Sequence, residues 1–542
     1  MMNLSSRCAW IFAACLAIAS CRTPDSSGAT WTAKTYEPID LTVQVADPVV
    51  AEFQGPDGIA LRAYSYSAGN VERIRFSAPR PGVWRYVARV GERTVQAGQV
   101  QVSRSDQHGP VHARAHELRF DDGTPFVALG ENRINIYDPK WNWRELSIDE
   151  YLQHMADHDL TVLRVFIVSD IENEESGGTN LGVLEPALGH FDERVAAEFD
   201  QIMRAALKRN IQVVLVAFAL GFSEDDPWKS WQDNPYSTLR GGPAETRFDF
   251  FESQAARDRA AERIRYLAAR YSAFPNLLAI DLLNEPEWDG GIPEVSWGPW
   301  AQAMTRVWDD ADPYEHLVTV GSVGLHWNIE GDERDWWSTD ACDIVQWHLY
   351  GKEVYDVHAL AMEMTRKVKE TWAFNKPILV GEFAYGGEAK PDYDHTHVGL
   401  WSAAFSGAGV LAHSAPPFNE DSDELMTPER ARHYRVLRET LTSLGTHAPT
   451  HVASSQGAAA WALRGDDSAA LWLLAPKEGY GKRVINVHAT LSGLPPGVWR
   501  VVWIDDVSGE TLAKSEERNA NGTLQLTAPA FECHIVARLQ RQ

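Results

Sequence analysis

Residues 278–288 read LAIDLLNEPEW, a short apolar run that ends in Asn284, Glu285 and Pro286. A continuous apolar run of this length, followed by a proline, is typical of a buried β-strand. Similar runs recur along the middle of the chain, and segments with helical spacing separate them. The predicted strands lie at residues 125–130, 161–167, 212–218, 278–283, 317–320, 343–347, 377–380 and 409–412.

The segments between these runs have the spacing of amphipathic helices. In residues 258–271, Ile264, Leu267 and Tyr271 fall on one face, and charged side chains occupy the others. Eight strand–helix units over about 330 residues match a (β/α)8 TIM barrel with elaborated loops. A doubly wound open sheet is the structural alternative, but no glycine-rich phosphate loop follows any of the predicted strands.

Short segments of alternating polarity lie on both sides of the middle region. Turn signals such as GPDG at residues 55–58 and PPG at 495–497 separate them. This pattern predicts β-sandwiches. The expected organisation is therefore an N-terminal, immunoglobulin-like sandwich at residues 31–107, a barrel at 111–445 and a C-terminal sandwich at 452–542.

Residues 1–21 have the features of a cleaved targeting signal. The apolar run at residues 9–19 is shorter than the roughly 20 residues that a bilayer-spanning helix needs. Residues 18–21 read IASC, which resembles the bacterial lipobox and implies that Cys21 is lipidated. Residues 22–30 are then a tether, and the protein is expected on the outer membrane, facing the periplasm or the cell surface. An ordinary secretory signal is the alternative.

Charge and composition exclude one class of partner and favour another. The chain has 50 Lys and Arg against 75 Asp and Glu, a net charge of −25, and no basic run. A nucleic acid would be repelled. The 21 Trp exceed the 16 Tyr and the 19 Phe, and indole faces suit sugar rings.

No cofactor or metal ion is expected. The segment DYDHTH at residues 392–397 contains metal-ligand residue types, but histidines two residues apart share a face only on a strand, and this segment precedes a predicted helix. Cys342 and Cys533 lie far apart in sequence, so two buried thiols are expected.

Two predicted strands end in glutamate. Glu285 follows the fourth strand and Glu382 follows the seventh, and these strands face each other across the mouth of a barrel. Either residue alone could be a solvated loop residue or a helix cap. Together they are the two carboxyl groups that hydrolysis of a glycosidic bond requires.

The sequences around these glutamates resemble a known family. AIDLLNEPEW at residues 279–288 resembles the acid/base strand of clan A glycoside hydrolases, in particular the cellulase-like family 5. PILVGEFAYGG at 377–387 resembles their nucleophile strand. The resemblance implies that Glu382 attacks the anomeric carbon and that Glu285 is the acid/base. It also implies substrate-binding or positioning roles for Arg164, Asn284, His348 and Tyr350.

Two positions depart from the family 5 pattern. The third strand lacks the usual histidine, and the eighth lacks the usual tryptophan, near which His413 is expected. The resemblance therefore implies membership of the clan. It does not imply membership of family 5 itself or cellulose as the substrate. The flanking regions resemble an immunoglobulin-like domain of unknown function and a small β-domain, both found beside such barrels.

Aromatic residues on the predicted rim loops are candidate sugar platforms, above all Trp288 and Trp327. Other aromatics on these loops either bind sugar or fix the loops; they include Trp231, Tyr236, Trp336 and Trp337. The resulting expectation is a monomeric retaining endo-β-glycanase that acts on a neutral polysaccharide, glucan or mannan. A non-catalytic glycan-binding lipoprotein on a decayed barrel is the alternative, and transglycosylation would use the same residues.

Overall fold

The computed structural model describes residues 29–133, 147–169, 182–218, 222, 230–323, 333–350, 356–383, 393–413 and 428–542. Cys21 and Trp327 lie outside these residues, so the predictions for them are untested. No helix in the described part of the chain is both long and apolar enough to cross a membrane.

The N-terminal region is a sandwich of two sheets. Its strands are β1 (Ala29–Lys34), β2 (Ile39–Val43), β3 (Val50–Gln54), β4 (Ala60–Tyr64), β5 (Tyr66–Ala68), β6 (Val71–Phe76), β7 (Gly82–Val90) and β8 (Arg93–Ser103). One sheet has the order β1-β8-β7-β3-β4 and the other β2-β6-β5. Phe53 and Phe76 stack between the sheets with ring centroids 3.8 Å apart, beside the fully buried Trp84.

A small antiparallel sheet lies beneath the barrel. It contains β9 (Val111–Arg114), β10 (Glu117–Phe120) and β11 (Pro125–Phe126). Its apolar side chains share one cluster with residues at the beginnings of the barrel strands, including Val162, Leu278 and Leu317. The sheet therefore closes the N-terminal end of the barrel.

The barrel contains eight parallel strands in the order β18-β17-β16-β13-β12-β21-β20-β19. A bridge between Ser322 and Trp347 joins its two edges, and the His348 N–H donates to the Ser322 carbonyl at 3.0 Å. The predicted TIM barrel is thus confirmed. Its elements are β12 (Leu129–Arg133), α1 (Ile148–Asp157), β13 (Val162–Phe166), β14 (Val168–Ser169), β15 (Gly182–Val183), α2 (Glu193–Leu207), β16 (Gln212–Phe218), α3 (Arg247–Glu252), α4 (Gln254–Tyr271), β17 (Leu277–Asn284), α5 (Pro286–Gly290), α6 (Glu294–Ala311), β18 (Leu317–Gly321), α7 (Glu333–Trp337), β19 (Val345–Leu349), α8 (Val357–Thr371), β20 (Ile378–Phe383), α9 (Tyr393–Ser406), β21 (Gly409–His413) and α10 (Pro428–Leu444).

The prediction of one strand at residues 125–130 is wrong. Pro125–Phe126 pairs with β10, and the first barrel strand is Leu129–Arg133. The run PFVALG is apolar throughout because the closing sheet and the barrel floor share one apolar cluster, so hydrophobicity does not mark the boundary.

Buried charges connect the N-terminal sandwich to the barrel. Arg75 of β6 donates to Asp40 at 2.7 Å and to Asp200 of α2 at 2.7 Å. Its guanidinium also donates to the backbone carbonyl of Arg270 in α4, and its side chain is 1% exposed. A buried charge is stable only when it is paired, so separating these two regions would leave several groups uncompensated.

The C-terminal region is a second sandwich, with sheets in the orders β22-β24-β25-β30-β27-β28 and β23-β26-β29. Its strands are β22 (Ala448–Thr450), β23 (Val452–Ser454), β24 (Ala459–Arg464), β25 (Ser468–Leu474), β26 (His488–Ser492), β27 (Gly497–Ile504), β28 (Thr511–Asn519), β29 (Thr523–Thr527) and β30 (His534–Arg541). Trp472 of β25 stacks on Trp401 of α9 with centroids 5.7 Å apart, so the larger sheet packs on the barrel helices.

Both sandwiches contain the string PGVWR and use it in the same way. The indole N–H of Trp84 donates to the carbonyl four residues earlier at 2.9 Å, and that of Trp499 does so at 3.1 Å. The preceding glycines have φ of 133° and 152°, values that other residues rarely adopt.

Cys342 is buried and Cys533 is partly buried, and both are free thiols.

A cluster of histidines lies between the barrel and the C-terminal sandwich. Asp506 accepts from His534 Nδ1 at 2.6 Å, from the Trp472 indole at 2.8 Å and from His397 Nε2 at 3.2 Å. His397 Nδ1 lies 2.9 Å from His433 Nδ1. These groups form one hydrogen-bonded chain, in which Asp506 is the acceptor of three N–H groups.

This cluster has the composition of a metal site but not the geometry. The rings of His397 and His534 are stacked, with centroids 3.9 Å apart and an angle of 16° between planes. A metal lies near the plane of each imidazole that binds it, and two stacked rings cannot share one. The segment with His395 and His397 was expected before a helix, but both belong to α9, which begins at Tyr393.

Burial lowers the pKa of His397 to about 4 and that of His433 to about 2. In the unfolded chain both would take up a proton near pH 6.5, so these groups reduce stability as the pH falls below that value. Burial opposes protonation of His534 too, but Asp506 outweighs it and raises the pKa of His534. His534 therefore stabilises the fold at low pH. Two histidines act against one, so the net effect is a loss of stability in acid.

We expect the Tm of the protein to fall between pH 7 and pH 5, and to fall less in His433→Gln. The variant removes one proton uptake, worth about 2 kcal/mol over this range. Calorimetry across the range measures the difference, with the exposed His451→Gln as the matched control. Parallel Tm curves for wild type and His433→Gln would contradict this role of the cluster.

Candidate active site

Six residues singled out in the sequence meet at the C-terminal ends of the barrel strands. Four strands position them, because parallel strands all open onto the same end of the barrel. Arg164 lies on β13, Asn284 ends β17 with Glu285 next to it, His348 lies on β19 with Tyr350 just beyond it, and Glu382 lies on β20.

The two glutamates are close together. One carboxylate oxygen of Glu285, one of Glu382 and a ring nitrogen of His348 all lie within 4.8 Å of one another. The side chains of Glu285 and Glu382 are 14% and 7% exposed, so both carboxylates are largely removed from water but open to the barrel mouth. One bond of a substrate could therefore contact both.

Arg164 connects the residues of this site. Its side chain is fully buried, and Nη1 donates to Glu382 Oε1 at 2.6 Å and to Asn132 Oδ1 at 2.6 Å. Nη2 donates to Asn284 Oδ1 at 2.7 Å. Burial alone would lower the pKa of Arg164, but the carboxylates of Asp281 and Glu382 raise it above its usual value. The guanidinium is thus a permanent cation.

Glu382 is surrounded by hydrogen-bond donors. Arg164 donates to Oε1, and the Tyr350 hydroxyl donates to Oε2 at 2.8 Å. Burial and the neighbouring Glu382 carboxylate raise the pKa of Tyr350 well above its usual value, so Tyr350 stays protonated and remains a donor. These two bonds fix the orientation of the Glu382 carboxylate.

Glu285 has a different environment. Its backbone has a φ of 43°, an uncommon value for a residue with a side chain, and its N–H donates to the Gly321 carbonyl at 2.7 Å. Burial raises the pKa of Glu285 to about 7, against an opposing effect of Arg164. Glu285 is therefore protonated below neutral pH, as a general acid must be.

His348 contacts the glutamates directly. Its Nδ1 lies 2.5 Å from Glu285 Oε1 and 3.6 Å from Glu382 Oε2. The resemblance implied substrate binding for this histidine. Its contact with Glu285 also places it where it can orient that carboxyl group. The same three side chains could be ligands of a metal, but hydrogen bonds from Arg164 and Tyr350 already occupy Glu382. The arrangement suits proton transfer.

The aromatic residues of the rim fall into two groups. Trp288 on α5 is 60% exposed and lies three residues beyond Glu285, so it remains a candidate sugar platform. Trp231, Tyr236, Trp336 and Trp337 are buried, so of the two alternatives the second applies, and they fix loops to the scaffold. His413 ends β21 and pairs in register with Asn132, but its side chain lies outside the described part of the structure.

Sequence reasoning missed three polar residues beneath the glutamates. Asn132, Asp281 and Gln346 are all fully buried and hydrogen-bonded within the site. Each is a polar residue in or beside a run of apolar residues, in GENR, AIDLL and IVQWHL respectively. Such an interruption is costly unless it is paired, and this is the signal that could have found them.

The barrel and its paired glutamates are typical of glycoside hydrolases. Comparison with family models identifies the particular family. The model of the cellulases, glycosyl hydrolase family 5, matches residues 122–408, more than half of the chain. The chain therefore belongs to glycosyl hydrolase family 5. The departures in the third and eighth strands led to an assignment to the clan alone, and this match corrects the assignment to family 5.

Curated relatives match the same region. Mannan endo-1,4-beta-mannosidase 2 of Oryza sativa subsp. japonica is 26% identical over 241 residues, which are 42% of this chain and 50% of that protein. Mannan endo-1,4-beta-mannosidase A of Podospora anserina is 25% identical over 217 residues, 38% of this chain and 53% of that protein. The chain spans about half the length of these relatives.

Solved structures share the fold over a longer part of the chain. A glycoside hydrolase family 5 structure from Bacteroides vulgatus ATCC 8482 aligns with a TM-score of 0.54 and 14% identity over 80% of this chain and 93% of that chain. A candidate glycoside hydrolase of the same organism aligns with a TM-score of 0.65 and 15% identity over 94% and 100%. At these identities the likeness concerns the fold alone.

Proposed function

We propose that the protein is a retaining glycoside hydrolase that cleaves β-1,4-linked mannan within the polymer. The observation that carries the proposal is the pair of Glu285 and Glu382, with carboxylate oxygens within 4.8 Å at the barrel mouth. Carboxyl groups about 5–5.5 Å apart serve retaining glycosidases, whereas inverting enzymes need about 6.5–9.5 Å to hold a water between them.

In the first step, Glu382 attacks the anomeric carbon and the bond to the leaving oxygen breaks. Arg164 and Tyr350 hold the Glu382 carboxylate in a fixed orientation, which supports this assignment. Glu285 gives its proton to the leaving oxygen. A pKa of about 7 suits this role, because the group is protonated below neutrality and still releases its proton readily.

In the second step, a water replaces the leaving group. The Glu285 carboxylate, now ionised, takes a proton from this water, and the resulting hydroxide displaces Glu382 from the anomeric carbon. The products are the sugar with its original configuration, a free Glu382 carboxylate and a protonated Glu285. The short contact with His348 Nδ1 keeps Glu285 in place during both steps.

Asn284 has a defined place in this mechanism. Its Oδ1 accepts from Arg164, so its amide NH2 is the group available as a donor to a substrate hydroxyl. A hydrogen bond to the 2-hydroxyl that strengthens in the transition state is a known source of rate enhancement in glycosidases. Because Asn284 is adjacent to Glu285, both contact the same sugar.

Two arguments support mannan as the substrate. The curated relatives named above are mannan endo-1,4-beta-mannosidases. The chain also carries a net charge of −25, which disfavours an acidic polymer and suits a neutral one. The exposed indole of Trp288, just beyond the acid/base, then contacts a sugar on the leaving-group side.

Purified protein should release new reducing ends from β-1,4-mannan, and much more slowly from β-1,4-glucan. Glu382→Gln should lower kcat on the order of 10⁴-fold, because it removes the nucleophile and preserves the volume. The exposed Glu439→Gln is the matched control and should retain full activity. Binding of mannan without hydrolysis would favour a decayed barrel, and near wild-type activity of Glu382→Gln would exclude that residue as nucleophile.

Glu285→Ala should separate the two steps. With a mannoside that has a good leaving group, such as dinitrophenolate, the first step needs no proton and stays fast, while the second loses its base. We expect a burst of about one equivalent of phenolate per enzyme, followed by slow turnover. Equal rate losses for good and poor leaving groups in stopped-flow measurements would contradict the role of Glu285 as acid.

We further propose that the mature protein is attached to the bacterial outer membrane by a lipid on Cys21. The IASC string at residues 18–21 and the polar residues that follow it support this proposal. Cys21→Ala should release the protein from the membrane fraction with kcat unchanged, as fractionation and mannanase assays would measure. Cys8→Ala is the matched control and should stay membrane-bound. Retention of Cys21→Ala in the membrane would contradict the lipobox assignment.

A further inference from the structure

Asp281 is a fully buried carboxylate in the middle of β17, beneath the two glutamates. It accepts from Arg164 Nε at 2.9 Å and lies 2.8 Å from Arg164 Nη2. It also accepts from Gln346 Nε2 at 2.6 Å and from the Gly321 N–H at 2.9 Å. One carboxylate thereby connects four barrel strands, β13, β17, β18 and β19.

The contacts of Arg164 show what this carboxylate does. A guanidinium has five N–H donors in a fixed plane. Nε donates to Asp281, Nη1 donates to Asn132 and Glu382, and Nη2 donates to Asn284 and lies 2.8 Å from Asp281. Because the group is planar and rigid, fixing the edge that faces Asp281 also fixes the direction of the donors that face Glu382 and Asn284.

Charge gives Asp281 a second effect. Arg164 is a buried cation, and it would strongly stabilise the ionised form of Glu285 if nothing balanced it. A second carboxylate on the same guanidinium offsets that cation. When the charge of Asp281 offsets that of Arg164, the negative charge of Glu382 is left to act on the substrate. It stabilises the positive charge that develops at the anomeric carbon.

We propose that Asp281 is a positioning residue of the reaction, which orients Arg164 and supplies the counter-charge that keeps Glu285 protonated at working pH. This inference rests on the proposed function and deepens it. Asp281 does not contact the substrate; it acts through Arg164. Gly321 lies tightly against the same groups, since a Cβ there would be 2.7 Å from Arg164 Nη2 and 2.8 Å from Gln346 Nε2. The space around the carboxylate is therefore closed.

The test is the pH profile of kcat/KM for mannan in Asp281→Asn. In the wild type the alkaline limb reports Glu285, whose pKa burial raises to about 7. Loss of the Asp281 charge should move this limb to lower pH by about one unit. The ratio of kcat/KM at pH 5.5 to that at pH 7.5 should then rise roughly sixfold.

Asn at this position places an NH2 group against N–H donors on either side, so the variant could fail to fold. Asp281→Ser is the second variant, because it removes the charge and its hydroxyl can accept from Gly321. Asp312→Asn is the matched control. Asp312 is another buried carboxylate, but it precedes β18 at the opposite end of the barrel and accepts from His316 and Tyr314.

The outcomes separate this inference from the proposed function. A shifted limb in the neutral variants, with the limb of Asp312→Asn unchanged, supports the counter-charge. If the wild type is active and a folded Asp281→Asn or Asp281→Ser variant has the same pH profile, the counter-charge role is overturned. This holds even if kcat falls in the variant, because a lower kcat alone is what a merely structural residue would give. A wild type without glycosidase activity would instead overturn the proposed function.

Discussion

The Arg164 guanidinium is the group on which the arrangement of the site depends. Its N–H groups donate to Asn132, Asp281, Asn284 and Glu382 inside a fully buried pocket, and Nη2 also lies 2.8 Å from Asp281. A buried cation is costly unless every donor is paired, so the four acceptors must be present together. The barrel meets this requirement because its parallel strands bring residues that are distant in sequence to one end.

The two glutamates differ because their neighbours differ. Glu382 receives hydrogen bonds from Arg164 and Tyr350, while Glu285 contacts His348 and has its pKa raised to about 7 by burial. Two carboxyl groups close enough to touch one bond can take opposite roles only if their environments differ. The strained backbone at Glu285 belongs to the same arrangement, since strain of this kind is concentrated at functional sites.

The sequence predicted the barrel and the residues at the strand ends, because apolar runs mark buried strands and a carboxylate at the end of such a run is conspicuous. It did not predict Asp281 and Gln346, since their function depends on partners from other strands, which a single segment does not reveal. The sequence also did not reveal that Trp336 and Trp337 are buried. Their positions in predicted loops suggested rim aromatics, but they belong to the core. The first strand was misplaced because two buried elements share one apolar run.

The configuration of the first product tests the central claim most directly. Proton NMR of a manno-oligosaccharide digest, recorded before mutarotation is complete, distinguishes the two anomers of the new reducing end. The spacing of Glu285 and Glu382 predicts that the β-anomer appears first and then equilibrates, because two displacements restore the starting configuration. Initial formation of the α-anomer would mean a single displacement by water and would contradict the roles given to both glutamates.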